Sequence, residues 1–375
     1  MGYINDSVRS QGIHLHSSLL LDVDCTLVGI AHLDFWVRAH FREETAAQIR
    51  NLPIEEKESF KWLRGVRAAH TAFQSLGQTG QSHAPKLIHV MDREGDIHEV
   101  FAEVLHLGDD AVIRCSQNRR VEADQHDQID NAKHRVAKQT SLGEMELRVP
   151  LQQGGFRQAV VQVRSLQVRL RPDETKHKNR QPIELWLIET REISTPPLEE
   201  KAAQWWLWAT QPAKTMTQIK WVLQIYRARW RVEDYHRVLK TGCKVERMRL
   251  LDAKALVKVI AMQAWVGTQV LRLRDAAKDK PEQDCEKYFT SQEWKMLWAR
   301  QHGRPWHTND GKPPLAEVTK WLGGLGGYLG RKGDGLPGAE LLSRGLYALS
   351  LLLEGRNITL AELGHPLEEP MSTQR

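Results

Sequence analysis

The 375-residue chain has no CxxC pair; Cys25, Cys115, Cys243 and Cys285 stand singly and far apart. That argues against a cysteine zinc site or a disulfide framework and fits a reducing compartment. Long hydrophobic runs are missing too. The longest, around Leu346–Leu353, is far short of the roughly 20 apolar residues that span a bilayer. No basic stretch followed by an apolar one opens the chain, so a secretory signal is not expected. No internal repeat is visible. These absences together lead us to expect a soluble, cytoplasmic protein with no membrane partner.

Charge of one sign is only mildly in excess. Lys and Arg total 53 against 47 Asp and Glu, giving +6 and a pI near 9.1. A polyanionic partner is favoured by that balance, though many basic enzymes share it. The hydrophobic fraction of 41% can build a sizeable core, and the length suggests two or three structural units. Thirteen tryptophans are more unusual. Interleaved with arginine they suit base stacking, although tryptophan also packs in cores.

Along the chain, His14 to Val37 reads as two extended runs around an Asp22-Val-Asp24 turn, a hairpin signal. Glu55 to Leu76 reads as a helix with acidic residues in its first turn. Lys86 to Met91 is a short apolar run ending at Asp92, as expected of a buried strand. A helix is expected from Asp96 to Leu107, with Asp96-x-x-Glu99 as a capping box, and a strand over Ala111–Arg114. This order is α/β. Residues 117–215 alternate polar and apolar, as in Ala159–Ser165 and Ile183–Ile188, and read as an antiparallel β insertion with a basic loop at Lys176–Arg180. From Thr217 the pattern is mostly helical, interrupted by a glycine-rich break over Gly323–Gly335.

The most informative stretch runs from Tyr226 to Lys240. In a regular α-helix, offsets of 3, 7 and 14 place Tyr226, Arg229, Glu233 and Lys240 within roughly 60° of one another. A phenol, two cations and a carboxylate on one face make a combined metal and phosphate surface. The spacing alone equally allows a solvated face with i,i+4 ion pairs.

Tyr-x2-Arg-x3-Glu-x6-Lys resembles the signature of bacterial insertion-sequence transposases of the fourth family, the transposon-five-like DDE enzymes. The likeness extends through Trp230-Arg-Val-Glu-Asp-Tyr-His236 and Lys240-Thr-Gly242. Asp92, in Asp92-Arg-Glu-Gly-Asp96, resembles the family's Asp-Arg-Glu-Ala-Asp element, which holds its second catalytic aspartate. Glu56-Lys-Glu58-Ser-Phe-Lys61-Trp62 also resembles a family segment. Arg114 falls where the family has a DNA-contacting arginine. Trp205 falls where it has a tryptophan that stacks on a flipped base, with Trp206 and Trp208 one and three places away.

The resemblance implies an RNase H-like core formed by 1–116 and 216–250, a β insertion at 117–215, and an all-α domain at 251–375 for dimerisation. It implies catalytic, metal-holding carboxylates at Asp92 and Glu233, with Mg²⁺ or Mn²⁺ between them and phosphate. DNA contacts are implied at Tyr226, Arg229, Lys240, Arg114 and Trp205. The partners would be transposon ends and target DNA, bound by a homodimer, with no small-molecule substrate. By the same register the family's first aspartate lies on a strand preceding Gly2. The core is therefore expected to lack its first strand and an amino-terminal end-binding domain; Asp6, Asp22 and Asp24 sit at loop or hairpin-tip positions and are not substitutes. The implied function is metal-dependent cut-and-paste phosphoryl transfer, or alternatively that of a truncated, non-catalytic partner or inhibitor of full-length transposase. A standalone nuclease of RNase H type fits the insertion and motifs less well.

Overall fold

The computed structural model describes residues 2–3, 11–38, 45–77, 86–122, 129–151, 153, 155–172, 181–250 and 252–364. The chain forms two compact units, Met1–Ser18 with Ala31–Trp230, and Leu19–Ile30 with Arg231–Arg375.

The chain begins with a short pair, β1 (Gly2–Tyr3) and β2 (Gln11–Gly12), and a hairpin of β3 (His14–Leu21) and β4 (Leu27–Trp36). Asp22 makes the hairpin turn, its Oδ1 accepting from the amides of Asp24 (3.0 Å) and Thr26 (2.8 Å). Then come α1 (Ala46–Asn51), α2 (Phe60–Gly77), β5 (Ile88–Met91), α3 (His98–His106) and β6 (Asp110–Arg114). The helix expected from Glu55 starts later, at Phe60, after a separate 3-10 turn over Ile54–Glu56. Glu58, in the gap, is held by the Arg38 guanidinium.

The expected capping box at Asp96 does not form. Helix α3 is capped at Ile97 without a side-chain bond. Asp96 is buried instead, and its carboxylate accepts from the Ser116 amide (2.8 Å), the Ser116 hydroxyl (3.0 Å) and Arg119 Nε (2.8 Å). With the Gln117 amide (3.4 Å), four donors face one carboxylate and oppose its burial cost better than a single exposed helix amide would.

Next follow β7 (Arg120–Glu122), β8 (Ile129–Asn131), α4 (Ala132–Ala137), β9 (Gly143–Pro150), β10 (Phe156–Leu170), β11 (Ile183–Glu192) and β12 (Gln204–Ala209). These strands extend the α/β sheet rather than standing apart from it. The order is β5-β6-β12-β11-β10-β7-β8, with β9 also on β10. β5 and β6 run parallel, Met91 opposite Ile113, and β12 returns antiparallel to β6. Among the described residues β5 has one neighbour, β6, and the β3–β4 hairpin is a separate sheet.

Strand alternation divides the apolar residues between two cores. Ala111, Ile113 and Trp208 face Leu63 and Val66 of α2 and Val100, Phe101 and Val104 of α3. Val112, Leu207 and Ala209 face the other way, toward Ile219, Val222 and Leu223 of α5 (Met216–Ala228). Helix α5 starts at a capping box between Thr215 and Gln218. Beneath β5, Asp109 Oδ2 accepts from His70 Nδ1 of α2 (2.9 Å) and His89 Nε2 of β5 (3.0 Å).

Helix α6 (Trp230–Arg237) leads into the second unit, which holds α7 (Ala253–Asp279), α8 (Ser291–His302), α9 (Leu315–Leu325) and α10 (Ala339–Glu362). The expected α/β class with a helical carboxyl-terminal region holds. The glycine break has a packing cause: a Cβ at Gly326 would collide with the Leu341 carbonyl, and one at Gly345 with that of Leu322. Helices α9 and α10 cross where their backbones touch. None of the described helices is long and apolar enough to cross a membrane.

Candidate active site

Strand β5 delivers Asp92 and strand β6 delivers Arg114, each one step beyond the opposed pair Met91 and Ile113. Asp92 Oδ1 accepts from the Glu94 amide at 2.8 Å, closing the 3-10 turn over Arg93–Gly95. That bond fixes the carboxylate and leaves Oδ2 without a hydrogen bond among the described residues. Gly95 makes the turn possible: a Cβ there would stand 2.7 Å from that of Met91, which is buried in the core.

Helix α5 carries Tyr226 across the same face of the sheet, anchored by Ile219, Val222 and Leu223. Burial pushes the phenol above its ordinary value, the cations Arg229 and Arg114 pull it down, and Asp92 pushes it up. The Arg229 guanidinium lies 5.9 Å from the Tyr226 ring centre and 5.6 Å from that of Trp230. One half-buried hydroxyl thus stands within electrostatic reach of Asp92, Arg114 and Arg229. Such a group stays protonated at neutral pH and can donate a hydrogen bond.

Trp205 and its neighbours separate by face. Trp206 and Trp208 belong to the core beneath α3 and α4, with Lys133 Nζ 4.5 Å from the Trp206 ring centre. Trp205 points the other way, on the face of Leu207 and Ala209 that α5 covers, and remains half-buried.

In the second unit, Glu233 and Lys240 flank His236. Burial pushes that imidazole below its ordinary value, Lys240 adds to the effect, and Glu233 opposes it. Sequence reading missed His236, although it stands three residues after Glu233 and four before Lys240, the spacing that brings helical neighbours together. Lys240 Nζ pairs with Glu246 Oε1 at 3.0 Å. The helix is not the regular one that the 60° arithmetic assumes: Arg229 caps α5, α6 starts anew at Trp230, and Val238–Gly242 is a π turn. Arg229 itself keeps right-handed helical angles, φ −51° and ψ −33°, so the phase shifts at the π turn.

The basic loop Lys176–Arg180 and Asp6 lie outside the described residues. Asp22 is occupied by its turn. Among the described residues no three or more His, Cys, Asp or Glu side chains converge as a metal-holding group. The carboxylates of Asp92, in the first unit, and of Glu233, in the second, are hard oxygen donors of the kind that a divalent ion takes.

Two comparisons with known families meet this geometry. Residues 89–266 match the family described as transposase DDE domain, and residues 262–362 match that described as transposase Tn5 dimerisation domain.

Proposed function

Because the chain belongs to the transposon-five-like DDE transposases, enzymes of DNA phosphoryl transfer that use divalent metal ions, we propose that Asp92 and Glu233 are its metal-holding carboxylates and Mg²⁺ its ion. When bound, the ion neutralises charge at the scissile phosphate and activates the attacking oxygen.

The surroundings of the Tyr226 phenol carry this reading. A carboxylate, two guanidiniums and a protonated hydroxyl around one point match the needs of a phosphodiester beside a cation. Arg114 and Arg229 grip phosphate oxygens with planar forks, and Arg229 lies against the rings of Tyr226 and Trp230. Tyr226 donates its hydroxyl proton as a hydrogen bond. Lys240 exchanges Glu246 for phosphate, giving up an exposed pair worth at most about 1 kcal/mol. Trp205 offers a ring on the sheet face that α5 covers, suited to stacking on an unpaired base.

Dimerisation uses α10. Tyr347, Leu351 and Ile358 are 69%, 48% and 55% exposed and recur at i, i+4 and i+11, an apolar stripe that a second copy would cover. The partners are transposon ends and target DNA.

The test is Mn²⁺ titration followed by paramagnetic NMR broadening. Effects at Asp92 and Glu233, lost in Asp92→Asn and Glu233→Gln, support the assignment; selective broadening elsewhere sinks it.

A further inference from the structure

Helix α7 presents two faces. Leu256, Ala264, Gly267, Thr268, Val270 and Leu271 are buried. Opposite them Lys254, Lys258, Met262 and Trp265 are exposed, the last two by 68% and 57%. Their offsets of 4, 8 and 11 keep all four within about 80° of helix circumference, along roughly 16 Å of axis.

Within its own unit this stripe is unfavourable. Lys254 and Lys258 are like charges at i,i+4, which repel. They lie in the first two turns of α7, where the helix dipole disfavours cations. Neither makes an ion pair among the described residues. The nearby acid, Asp252, is occupied as the helix cap, accepting from the Lys254 amide (3.1 Å) and the Ala255 amide (3.0 Å). The preceding Arg249 hydrogen-bonds only carbonyls, those of Glu246 (2.9 Å) and Met248 (3.0 Å), so its charge also stays uncompensated there. A large exposed indole and thioether then extend the cationic stripe. A stripe that costs stability in the isolated protein is explained by a partner that offsets the cost, and the partner's charge must be negative.

We propose that this face of α7 is a second DNA-contacting surface, in which Lys254 and Lys258 hold backbone phosphates while Met262 and Trp265 lie against the sugars of the same duplex. It rests on the transposase reading and adds to it a further set of DNA contacts, carried by α7. A second copy of the chain is the poorer occupant, because two such stripes would bring lysines together.

The test uses the full chain and a short random-sequence duplex. Lys254→Gln/Lys258→Gln should weaken binding about tenfold at low salt and reduce the slope of log K against log salt by about 1.8, near 0.9 for each lost phosphate contact. The same variant should melt no lower than the parent, since a repulsion has been removed; lysines with a structural role would give the opposite. Trp265→Phe should abolish part of the tryptophan fluorescence change that DNA produces. If the parent binds no DNA, the transposase reading itself fails. If the parent binds but the lysine variant keeps its slope, this surface is refuted. A Trp265→Ala variant that becomes monomeric with unchanged DNA affinity would also refute it, marking a protein interface.

Discussion

Asp109 is the clearest place to perturb the support under Asp92. One carboxylate oxygen accepts from both His70 and His89, tying α2 to β5. All three side chains are largely enclosed, 18%, 7% and 7% exposed for His70, His89 and Asp109. Asp109→Ala removes two hydrogen bonds to a charged acceptor, about 1.5–3 kcal/mol each, and leaves two imidazole N–H groups without an acceptor. A loss of about 3–5 kcal/mol is expected at pH 7. The loss should concentrate on β5, which has one strand neighbour among the described residues. Chemical denaturation measures the total, and amide exchange at His89 and Val90 localises it. The pH dependence has a definite sign. Burial pushes the Asp109 carboxyl up, but its hydrogen bonds to His89 and His70 outweigh that and hold it below its ordinary value. Its stabilisation is therefore complete above the unfolded carboxylate range, about pH 4, and disappears as pH falls through the lower folded value. The parent should lose stability in that acid window, and Asp109→Ala should lose less there. A variant within about 1 kcal/mol of the parent at pH 7, or one with an identical acid limb, would refute the reasoning.

Gly95→Ala should destabilise by about 1–2 kcal/mol, because overpacking against Met91 exceeds the small gain from a stiffer unfolded chain; Met91→Ala should not rescue it, since the clash involves the Met91 Cβ itself, and thermal melts of both variants decide. Arg229→Ala with Lys240→Ala should flatten the salt dependence of DNA binding by about two units, and an unchanged slope would make that helix merely solvated. Leu351→Asp with Ile358→Asp should shift the chain from dimer to monomer in light scattering while leaving its helical circular dichroism in place.

Elements whose side chains answer to local rules were legible in the sequence. The hairpin turn at Asp22 and strand β5 ending at Asp92 follow from turn and period signals, while the helical pattern read from Thr217 begins one residue earlier, at Met216 behind the Thr215 cap. Long-range bonding decided the rest. Asp96 looked like a cap, but Arg119 and Ser116 from a later loop claim it. The insertion was visible as alternating strands, yet only pairing shows β12 lying against β6. Within the candidate site, residue types and spacing pointed to Tyr226 and Arg229, while their gathering around Asp92 and Arg114 depends on α5 crossing the sheet. His236 went unnoticed because its burial comes from packing that no spacing rule reports.

The π turn over Val238–Gly242 has a bearing on heredity. A π turn accommodates one more residue than an α turn while the helix keeps its hydrogen bonding. One codon gained here would leave the helix before it in place. Deleting one residue between Val238 and Gly242 would let the segment relax to α and leave the helix before it where it stands. A gain or loss of one residue is therefore taken up within this turn, where Glu233, ahead of it, keeps its place and Lys240, inside it, is the residue whose phase would shift.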